Sequence, residues 1–290
     1  MVRKGGMGSS VRTPREAAVT RLTPGRRIVV AMAYVDRLVS EGVRHYFEAS
    51  YRLLTGSPEG RRFLHLAAPI RGVAVHGYTT ADDLDALVRS LDPGELGRLI
   101  DLGCGVGGIA LEVNRRTGAT VIGVDLSARA IATATARAAA VGAQPRLSFV
   151  RGSIRRPPRV GATGAYALDS LMFVPVDPDL LRGIRDALDG RGRLFATVLA
   201  FGSSPRDPVQ AVAADLGIAA IGSDDVTDGL VRRSEHRRRV ARRLLRRGPR
   251  SVRGQLAMAL IVIEESLVQR LVRAGRLRRW RTVVDLRDPD

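Results

Sequence analysis

The chain is poor in cysteine, histidine and aromatic residues, and each shortage excludes a class of protein. A single cysteine, Cys104, among 290 residues excludes an internal disulfide framework and a zinc site built from the thiolates of one chain. Four histidines give no convincing metal-binding cluster. Aromatic residues make up only 4% of the chain, which argues against nucleic-acid binding, because base recognition usually recruits aromatic rings for stacking.

Long apolar runs are also missing. The most apolar stretch runs from Leu256 to Ile263 and ends at two glutamates, well short of the roughly 18 residues of a membrane span, so we expect no transmembrane segment. Residues 1–27 are rich in Gly, Ser and Arg and lack the apolar core of a secretory signal. We expect a disordered basic tail there, with an arginine-rich transit peptide as the alternative, and a cytoplasmic protein overall.

Positive charge is the main excess of this composition. Lysine and arginine together number 47 against 29 acidic residues, for a formal net charge of +18. Such a balance ordinarily indicates nucleic acid or another acidic partner. Lys4 is the only lysine, however, and the abundance of arginine, alanine and glycine indicates codon bias in a GC-rich genome. Part of the charge therefore reflects composition rather than function.

The hydrophobic pattern gives the order of the elements. Over 28–54, apolar residues at three- and four-residue steps predict one or two amphipathic helices, and a Gly/Pro/His-rich segment separates them from another helix at 82–91; together they form a predicted N-terminal helical cap over 28–92. Strands and helices then alternate. We predict strands at 98–103, 120–126, 146–150, 165–171, 193–200 and 217–222, and helices at 109–116, 127–140 and from 177 onward. Two late helices, at 225–248 and 255–274, precede a closing strand at 279–286.

This alternation of apolar strands with helices indicates a parallel sheet that is covered by helices on both faces. We expect an α/β fold with a doubly wound, Rossmann-like sheet of seven mostly parallel strands. Its core would cover 93–224, and a helical insertion or lid would cover 225–278. Residues 279–290 would then return to the sheet as its last strand.

The loop after the first predicted strand, in the stretch RLIDLGCGVGG, fits two ligand-binding patterns. Gly103, Gly105 and Gly108 fit G-x-G-x-x-G, in which a helix N-terminus meets the pyrophosphate of a dinucleotide. With Asp101 and Gly107, the same loop also fits an acid followed by alternating glycines. A carboxylate at the strand end would repel a phosphate at a cost on the order of kcal/mol, whereas it suits an ammonium group. The pattern therefore favours an amino-acid-like cationic ligand.

Five motifs follow one another between residues 98 and 200. They are DLGCGVG after the first strand, VIGVDLS at the second, FVRGSI after the third, ALDSLMFVP at the fourth, and LLRGIRDALDGRGRLFATVL over the next helix and strand. Together they resemble the class I S-adenosylmethionine-dependent methyltransferases, far more specifically than one glycine loop does. HYFEASYRLLTG and VAVHGYTT are similar to N-terminal segments of small-molecule members in the quinone, tocopherol, sterol and natural-product groups.

The resemblance implies S-adenosyl-L-methionine as the cofactor and assigns the glycine loop to its methionine part. Asp101 would face the amino group of that part, directly or through water. The loop backbone would lie along it, with these positions as contacts: Gly103, Cys104, Gly105 and Gly107. A small packing residue is the alternative role of the cysteine, and a tight turn is the alternative role of the last glycine.

The same resemblance assigns the adenosine part. Asp125 would accept the two ribose hydroxyls, because one carboxylate has two oxygens to match a vicinal diol. Leu126 and Ser127 would lie near the adenine, and Ser153 and Ile154 would lie on its other side. The family often has an aspartate where this chain has Ser153, so the usual contact to the adenine amino group is in question here.

Five further residues are candidates near the reacting end. Asp169, at the end of the fourth strand, would face the cofactor amino group or the substrate. On the analogy with small-molecule members, four residues are candidates for contacting cofactor or substrate: Tyr46, Tyr51, His76 and Tyr78. We take His76 and Tyr78 as the catalytic candidates and Tyr46 as a cofactor contact. His76 could act as a general base because imidazole ordinarily titrates near neutral pH, and a histidine hydrogen-bonded in a turn is the alternative.

The resemblance predicts methyl transfer to a small-molecule acceptor, lipophilic or anionic, in biosynthesis. Oxygen is the favoured acceptor atom, with carbon or nitrogen open. In-line transfer needs alignment of the nucleophile and exclusion of water and demands no metal. The apolar helix at 255–274 would either line a lipophilic substrate pocket or form a homodimer contact.

Three other functions stay open at this point. The segment RRSEHRRRVARRLLRR could hold RNA or another polyanionic substrate, because arginine clusters bind phosphates bidentately. The same glycines could serve an NAD-dependent oxidoreductase. A non-catalytic, cofactor-binding relative is the third alternative.

Overall fold

The structure, a computed structural model, describes residues 45, 48–70, 73, 77–143, 145–203, 205–248 and 251–287. All of them belong to one compact unit, Arg44–Asp290. The predicted tail at 1–27 and the predicted helical pattern from 28 to 44 lie outside the described residues. Those two expectations therefore stay predictions.

Seven strands of the described residues form one sheet. They are β1 (Arg98–Leu102), β2 (Thr120–Asp125), β3 (Leu147–Arg151), β4 (Gly164–Leu168), β5 (Arg193–Phe201), β6 (Ala220–Asp225) and β7 (Leu277–Asp285). Their order across the sheet is β3-β2-β1-β4-β5-β7-β6. The first five strands are parallel, and β7 is antiparallel to both β5 and β6. The predicted doubly wound, mostly parallel sheet of seven strands is confirmed.

Helices cover both faces of the sheet and the edge formed by the carboxyl ends of its parallel strands. Residues 48–56 are helical. The helices that follow are α1 (Pro58–Leu66), α2 (Ala81–Leu91), α3 (Gly108–Thr117), α4 (Ala128–Ala140), α5 (Pro178–Ala187), α6 (Pro208–Asp215), α7 (Thr227–Arg246) and α8 (Val252–Arg273). A single 3-10 turn, Leu171–Phe173, lies between β4 and α5 among the described residues.

Side chains of the strands alternate between two buried clusters. In β1, Leu99 packs in a cluster with α2, α3 and α4, whereas Ile100 and Leu102 pack in the other cluster, with α5 and α6. Because successive side chains of a strand point to opposite faces, Asp101 lies on the same face as Leu99. The hydrophobic pattern of β1 thereby fixes which way this acid points at the strand end.

Several element boundaries differ from the sequence predictions. β4 ends at Leu168 rather than at residue 171, because Asp169 adopts a left-handed conformation with φ +59° that ends extended pairing. β6 begins at Ala220, three residues later than predicted, and β7 begins at Leu277, two residues earlier. The sequence predictions also omit α1 and α6. Both begin with a proline just after a capping side chain, a start signal that lies inside turn-rich segments.

Helices α7 and α8 connect β6 to β7, so the predicted helical insertion before the last strand is confirmed. Leu277 at the start of β7 pairs with Phe201 at the end of β5. The insertion therefore joins the sheet at the carboxyl ends of the parallel strands, which is also the edge where the loop after β1 lies. None of the helices within the described residues is long and apolar enough to cross a membrane.

The insertion packs on the N-terminal helices through a shared apolar cluster. Phe63 of α1 is buried there with Ala241 of α7 and Met258 of α8. The same region contains a close backbone contact, because a Cβ on Gly60 would lie only 2.2 Å from the carbonyl oxygen of Leu54. No side chain fits between α1 and the helix at residues 48–56 at this point.

We expect Gly60→Ala to destabilise the protein by about 1–3 kcal/mol, the usual cost of overpacking, because the backbones at residues 54 and 60 must separate. Gly56→Ala is the matched control, since a Cβ there meets no atom within 4 Å and alanine favours a helix. The unfolding midpoint in urea measures both changes. Equal midpoints for the two variants would contradict the close contact.

Candidate functional site

The loop after β1 is fixed by hydrogen bonds to the end of β2. The amides of Gly103 and Cys104 both donate to the carbonyl oxygen of Val124, at 2.8 Å and 3.1 Å. The amide of Gly107 closes the turn by donating to the carbonyl oxygen of Cys104 at 3.0 Å, and α3 begins at the next residue. The backbone of the loop is therefore held before any ligand binds.

Two of the loop glycines are required by both conformation and space. Gly103 has φ +80°, and a Cβ there would lie 2.4 Å from the Cβ of Ser170. Gly105 has φ +53°, and a Cβ there would lie 2.6 Å from the hydroxyl oxygen of Tyr51. Segments from two other parts of the chain thus approach the loop closely, and L side chains would exclude them.

Asp125, at the end of β2, ties the loop to the next helix. Its Oδ2 accepts the amide of Gly105 at 2.9 Å, and its Oδ1 accepts the amide of Ser127 at 2.8 Å. Burial raises the pKa of Asp125, and these amide hydrogen bonds oppose that rise. Each carboxylate oxygen has two lone pairs, so the group can still accept two hydroxyls.

Asp101 is a buried acid without a cationic partner among the described residues. Its side chain is 3% exposed, and its Oδ2 makes no hydrogen bond within the described chain. Burial raises the pKa of Asp101 to about 8, with a partial offset from the neighbouring Tyr166 hydroxyl and a further rise from Asp125. At neutral pH the carboxyl is largely protonated, and a bound cation would favour its ionised form.

Tyr51 and Cys104 line the same region and are both buried. Burial raises the pKa of the Tyr51 phenol, and the nearby acids Asp125 and Asp101 raise it further. Burial likewise raises the pKa of the Cys104 thiol, so the sulfur stays neutral and serves as a packing group beside the loop.

The residues predicted around the adenine have structural contacts of their own. The hydroxyl of Ser127 is fully buried and caps α4 by accepting the amide of Ala130 at 3.1 Å. The hydroxyl of Ser153 accepts the amide of Arg155 at 3.2 Å. Ile154 belongs to the buried cluster on the α5 side, and Leu126 is half-buried. Their adenine contacts stay predictions.

Asp169 is bound on every side by internal partners rather than left facing a ligand. Its Oδ1 accepts the hydroxyl of Thr197 at 3.1 Å and Nε of Arg279 at 2.7 Å. Its Oδ2 accepts the amide of Tyr78 at 2.8 Å and lies 3.5 Å from the hydroxyl of Thr79. These contacts hold the left-handed backbone of Asp169 and favour a positioning role.

Arg279 extends this network into α2. Its Nη1 donates to Oδ2 of Asp83 at 2.9 Å, and both side chains are almost completely buried. Asp83 also accepts the amide and the hydroxyl of Thr80, which completes the capping box of α2. Sequence reasoning missed Arg279 and Asp83, because they lie 196 residues apart and no local pattern links them.

Tyr78 connects the network to the insertion. Its phenol donates to Oε1 of Glu264 in α8 at 3.3 Å, and the guanidinium carbon of Arg237 lies 5.3 Å from its ring centroid. Burial raises the pKa of Tyr78, and Glu264 raises it further, so the phenol is neutral at physiological pH. The other two candidates at the reacting end, Tyr46 and His76, lie outside the described residues.

Residues 99–192 match the family described as "Methyltransferase domain". The matched segment includes the glycine loop, Asp125 and Asp169. Among curated proteins, the chain is similar to Methyltransferase GfsG of Streptomyces halstedii, with 30% identity over 112 residues, 38% of this chain and 40% of the relative. It is also similar to a 2-phytyl-1,4-naphtoquinone methyltransferase of Trichormus variabilis, with 37% identity over 92 residues, 29% of this chain and 40% of the relative. These matches span about two-fifths of the length of each relative.

A solved structure extends the likeness over most of the chain. Geranyl diphosphate methyltransferase in complex with GPP and sinefungin has a TM-score of 0.64 and 16% identity, covering 86% of this chain and 99% of that one. At that identity the comparison shows a shared fold. The segment from β1 to α5 is thus similar in sequence to methyltransferase domains, and the chain shares its fold with a solved methyltransferase.

The raised pKa of Asp101 predicts how stability depends on pH. An acid whose pKa is higher in the folded than in the unfolded protein stabilises the fold most at low pH and loses that contribution as pH rises toward about 8. We expect Asp101→Asn to remove this dependence. The stability of the wild-type protein relative to the variant should fall between pH about 5 and about 8, by at most about 1.4 kcal/mol per pH unit.

Urea unfolding of both ligand-free proteins across this pH range measures the difference. Comparing the two proteins cancels the titration of every other group. A difference that does not change with pH would show that Asp101 is ionised in the folded state.

Proposed function

We propose that the protein is an S-adenosylmethionine-dependent methyltransferase that acts on a small-molecule acceptor. One observation carries the proposal: two buried acids, Asp101 and Asp125, end adjacent strands on either side of the glycine loop, and Asp101 Oδ2 has no partner within the described chain. Such a pair fits a ligand with an ammonium at one end and a sugar diol at the other.

The residues present fit this cofactor in three ways. Asp101 would bind the ammonium of the methionine part and become ionised. The backbone of Gly103 and Gly105 would lie against the ligand where side chains are excluded. Asp125 would accept the ribose hydroxyls through the lone pairs that the two loop amides leave free. When bound, the sulfonium supplies an activated methyl group for in-line displacement.

A dinucleotide fits the same loop less well. Its pyrophosphate would lie beside Asp101, whose ionisation is already opposed by burial and by Asp125. A phosphate there would keep the carboxyl protonated and would gain no ion pair with Asp101, whereas an ammonium group would gain one. The geometry therefore favours S-adenosylmethionine over NAD.

The acceptor is proposed from the relatives and from the insertion. Two of the proteins named above are, by name, a 2-phytyl-1,4-naphtoquinone methyltransferase and a geranyl diphosphate methyltransferase, which supports a lipophilic or anionic small molecule. Oxygen is the favoured acceptor atom. Tyr78 is proposed to orient the acceptor as a neutral phenol held by Glu264, with His76 as the proposed base and Tyr46 as a cofactor contact.

A single buried, unpaired thiol, Cys104, is compatible with the proposed cytoplasmic location.

An RNA substrate is less well supported, because part of the arginine-rich helix faces inward. Arg237 of α7 is buried against Glu265, and Arg233 is buried beneath it on the same helix. Neither is available to a polynucleotide on the surface. The remaining exposed arginines of α7 form an ordinary solvated face.

The proposal is tested by calorimetric titration with S-adenosylhomocysteine and, separately, with NAD. We expect S-adenosylhomocysteine to bind and NAD not to bind. Because the Asp101 pKa is about 8 in the free protein, binding at pH about 7 should release close to one proton, measured as a dependence of the heat on the buffer. Asp101→Asn should abolish that release.

Asp125→Asn should weaken the binding of S-adenosylhomocysteine by roughly ten- to a hundredfold, since it removes a charged acceptor for the ribose hydroxyls. Asparagine keeps one oxygen, so only one of the amides of Gly105 and Ser127 retains its acceptor, and the urea midpoint of the variant measures the part of the effect that comes from the fold. Asp215→Asn, at an exposed position in α6, is the control and should bind as the wild type does. NAD binding alone would overturn the assignment.

We also propose that α8 forms a homodimer contact. Its inner face is buried in the shared cluster, yet large apolar side chains also recur on its outer face: Leu256, Leu260, Ile263 and Leu267. A helix that is apolar all round is normally buried. Because these side chains are exposed, the stripe does not line an enclosed substrate pocket, and a second copy offers the same self-complementary stripe across a twofold axis.

Light scattering after size exclusion tests the contact. We expect about twice the chain mass for the wild type and the chain mass for Leu260→Glu, because a carboxylate on the stripe would be buried against its own copy. Leu96→Glu is the matched control, since Leu96 is 99% exposed and lies outside α8. A wild-type protein that stays monomeric at high concentration would remove the proposal.

A further inference from the structure

A pocket of about 330 Å³ lies between the start of α2 and one side of α7. The N-cap Thr80 and the first residues of α2 form one wall, and four residues of α7 form the other: Gly229, Arg232, Arg233 and His236. The pocket is separate from the glycine loop after β1, and the proposed methyl transfer makes no use of it. Its volume is at the lower end of the range for small-molecule sites.

Arg233 is the unusual member of this wall. It is 7% exposed, and its Nη1 donates to the carbonyl oxygen of Ala67 at 2.6 Å. Its Nε and Nη2 are buried and have no partner within the described chain. Burial and the neighbouring Arg237 together lower the pKa of Arg233 to about 10. A buried guanidinium without a paired anion is costly, because the carbonyl oxygen of Ala67 and the more distant Asp169 and Glu265 only partly offset the loss of its hydration.

The other arginines that the structure describes as buried are both paired with acids. Arg279 binds Asp83 and Asp169, and Arg237 binds Glu265. Within the described chain, Arg233 is the buried arginine that has no carboxylate within ion-pair distance. Its missing partner is therefore an anion that the described chain does not supply.

The start of α2 adds donors to the same pocket. The capping box of this eleven-residue helix uses the amides of Thr80 and Asp83. The amides of Ala81 and Asp82, in the first turn, have no partner inside the helix and lie at its positive end. Helix N-termini of this kind bind phosphate groups.

The charges around the pocket also favour an anion. Two guanidinium groups, Arg232 and Arg233, and the imidazole of His236 line it, against one carboxylate, Asp82. The His236 ring is positioned by the carbonyl oxygen of Leu66, which lies 3.1 Å from its Nε2. Residues from two helices line the pocket, and several donors suit the oxygens of a phosphoryl group better than the two oxygens of a carboxylate.

We propose that this pocket binds a phosphoryl group, either as a free phosphate or diphosphate ion or as part of a small phosphorylated molecule. The guanidinium of Arg233 supplies the buried charge, Arg232 supplies a charge at the rim, and the first-turn amides of α2 complete the set of donors. The site does not depend on the proposed methyl transfer.

Calorimetric titration of the full chain with inorganic phosphate, pyrophosphate and phenyl phosphate tests the proposal. The ionic strength is held constant with sodium chloride, because the chain carries a net charge of +18 and attracts anions in general. We expect saturable binding at one site. Tighter binding of phosphate than of phenyl phosphate indicates a free ion as the ligand, and the reverse order indicates a phosphorylated molecule. No saturable binding of any of the three overturns the proposal.

Arg233→Gln should weaken binding at least tenfold. Arg239→Gln is the matched control, because it removes the same charge from an exposed position of the same helix that does not line the pocket, and it should change affinity less than twofold. Equal losses in the two variants would mean a general effect of net charge and would overturn the proposal. Arg233→Gln removes an unpaired buried charge, so we expect it to fold with an unchanged or higher melting temperature in phosphate-free buffer.

Ala81→Pro provides an independent second variant. Proline is well tolerated at the first position of a helix, and Thr80 already has the extended backbone that a following proline requires. The change deletes one amide donor and keeps α2, so phosphate should bind at least threefold more weakly. Unchanged binding would remove the helix end from the site. S-adenosylhomocysteine titrations of the same variants should match the wild type, which separates a failure here from a failure of the proposed methyl transfer.

Discussion

Arg279 joins the last strand of the sheet to α2 and to the residue that follows β4. Its guanidinium is fully buried and binds Asp169 after β4 and Asp83 in α2. Loss of either acid would leave a buried charge partly unpaired, at a typical cost of about 3–5 kcal/mol, so the network favours one arrangement of the three segments. Asp169 in turn holds the amide of Tyr78, and Tyr78 contacts Glu264 of α8. The sheet, the N-terminal segment and the insertion are thereby coupled.

This network also shapes the loop after β1. With Asp169 held in its left-handed conformation, the next residue, Ser170, turns its hydroxyl onto the carbonyl oxygen of Leu102 at 2.5 Å. Ser170 then lies where a side chain at position 103 would be, so the network dictates a glycine there. The two acids Asp101 and Asp169, near the ends of β1 and β4, differ in their partners. Asp169 is paired with Arg279, whereas Asp101 has no cation within the described chain, which supports its proposed role toward a cationic ligand.

The sheet and the glycine loop could be predicted because their signals are local. Apolar alternation gives the strands, and the spacing from Asp101 to Gly107 defines the loop within seven residues. The role of Asp169 could not be predicted, because its partner Arg279 is 110 residues away and neither residue lies in a pattern that implies the other. The helices α1 and α6 were missed for a different reason. They are short, and their proline and capping signals also occur in turns.

Codon bias would explain the number of arginines but not where they are buried. A drift toward arginine is tolerated on the surface, where water solvates the charge, whereas a buried guanidinium costs several kcal/mol unless acids or other groups compensate. Arg279 has two acids, and Arg237 has Glu265 with the rings of Phe63 and Tyr78. Arg233 has one carbonyl oxygen. The proposed phosphoryl ligand would supply the anion that the buried guanidinium of Arg233 lacks, and would thereby offset its cost whenever the ligand is bound.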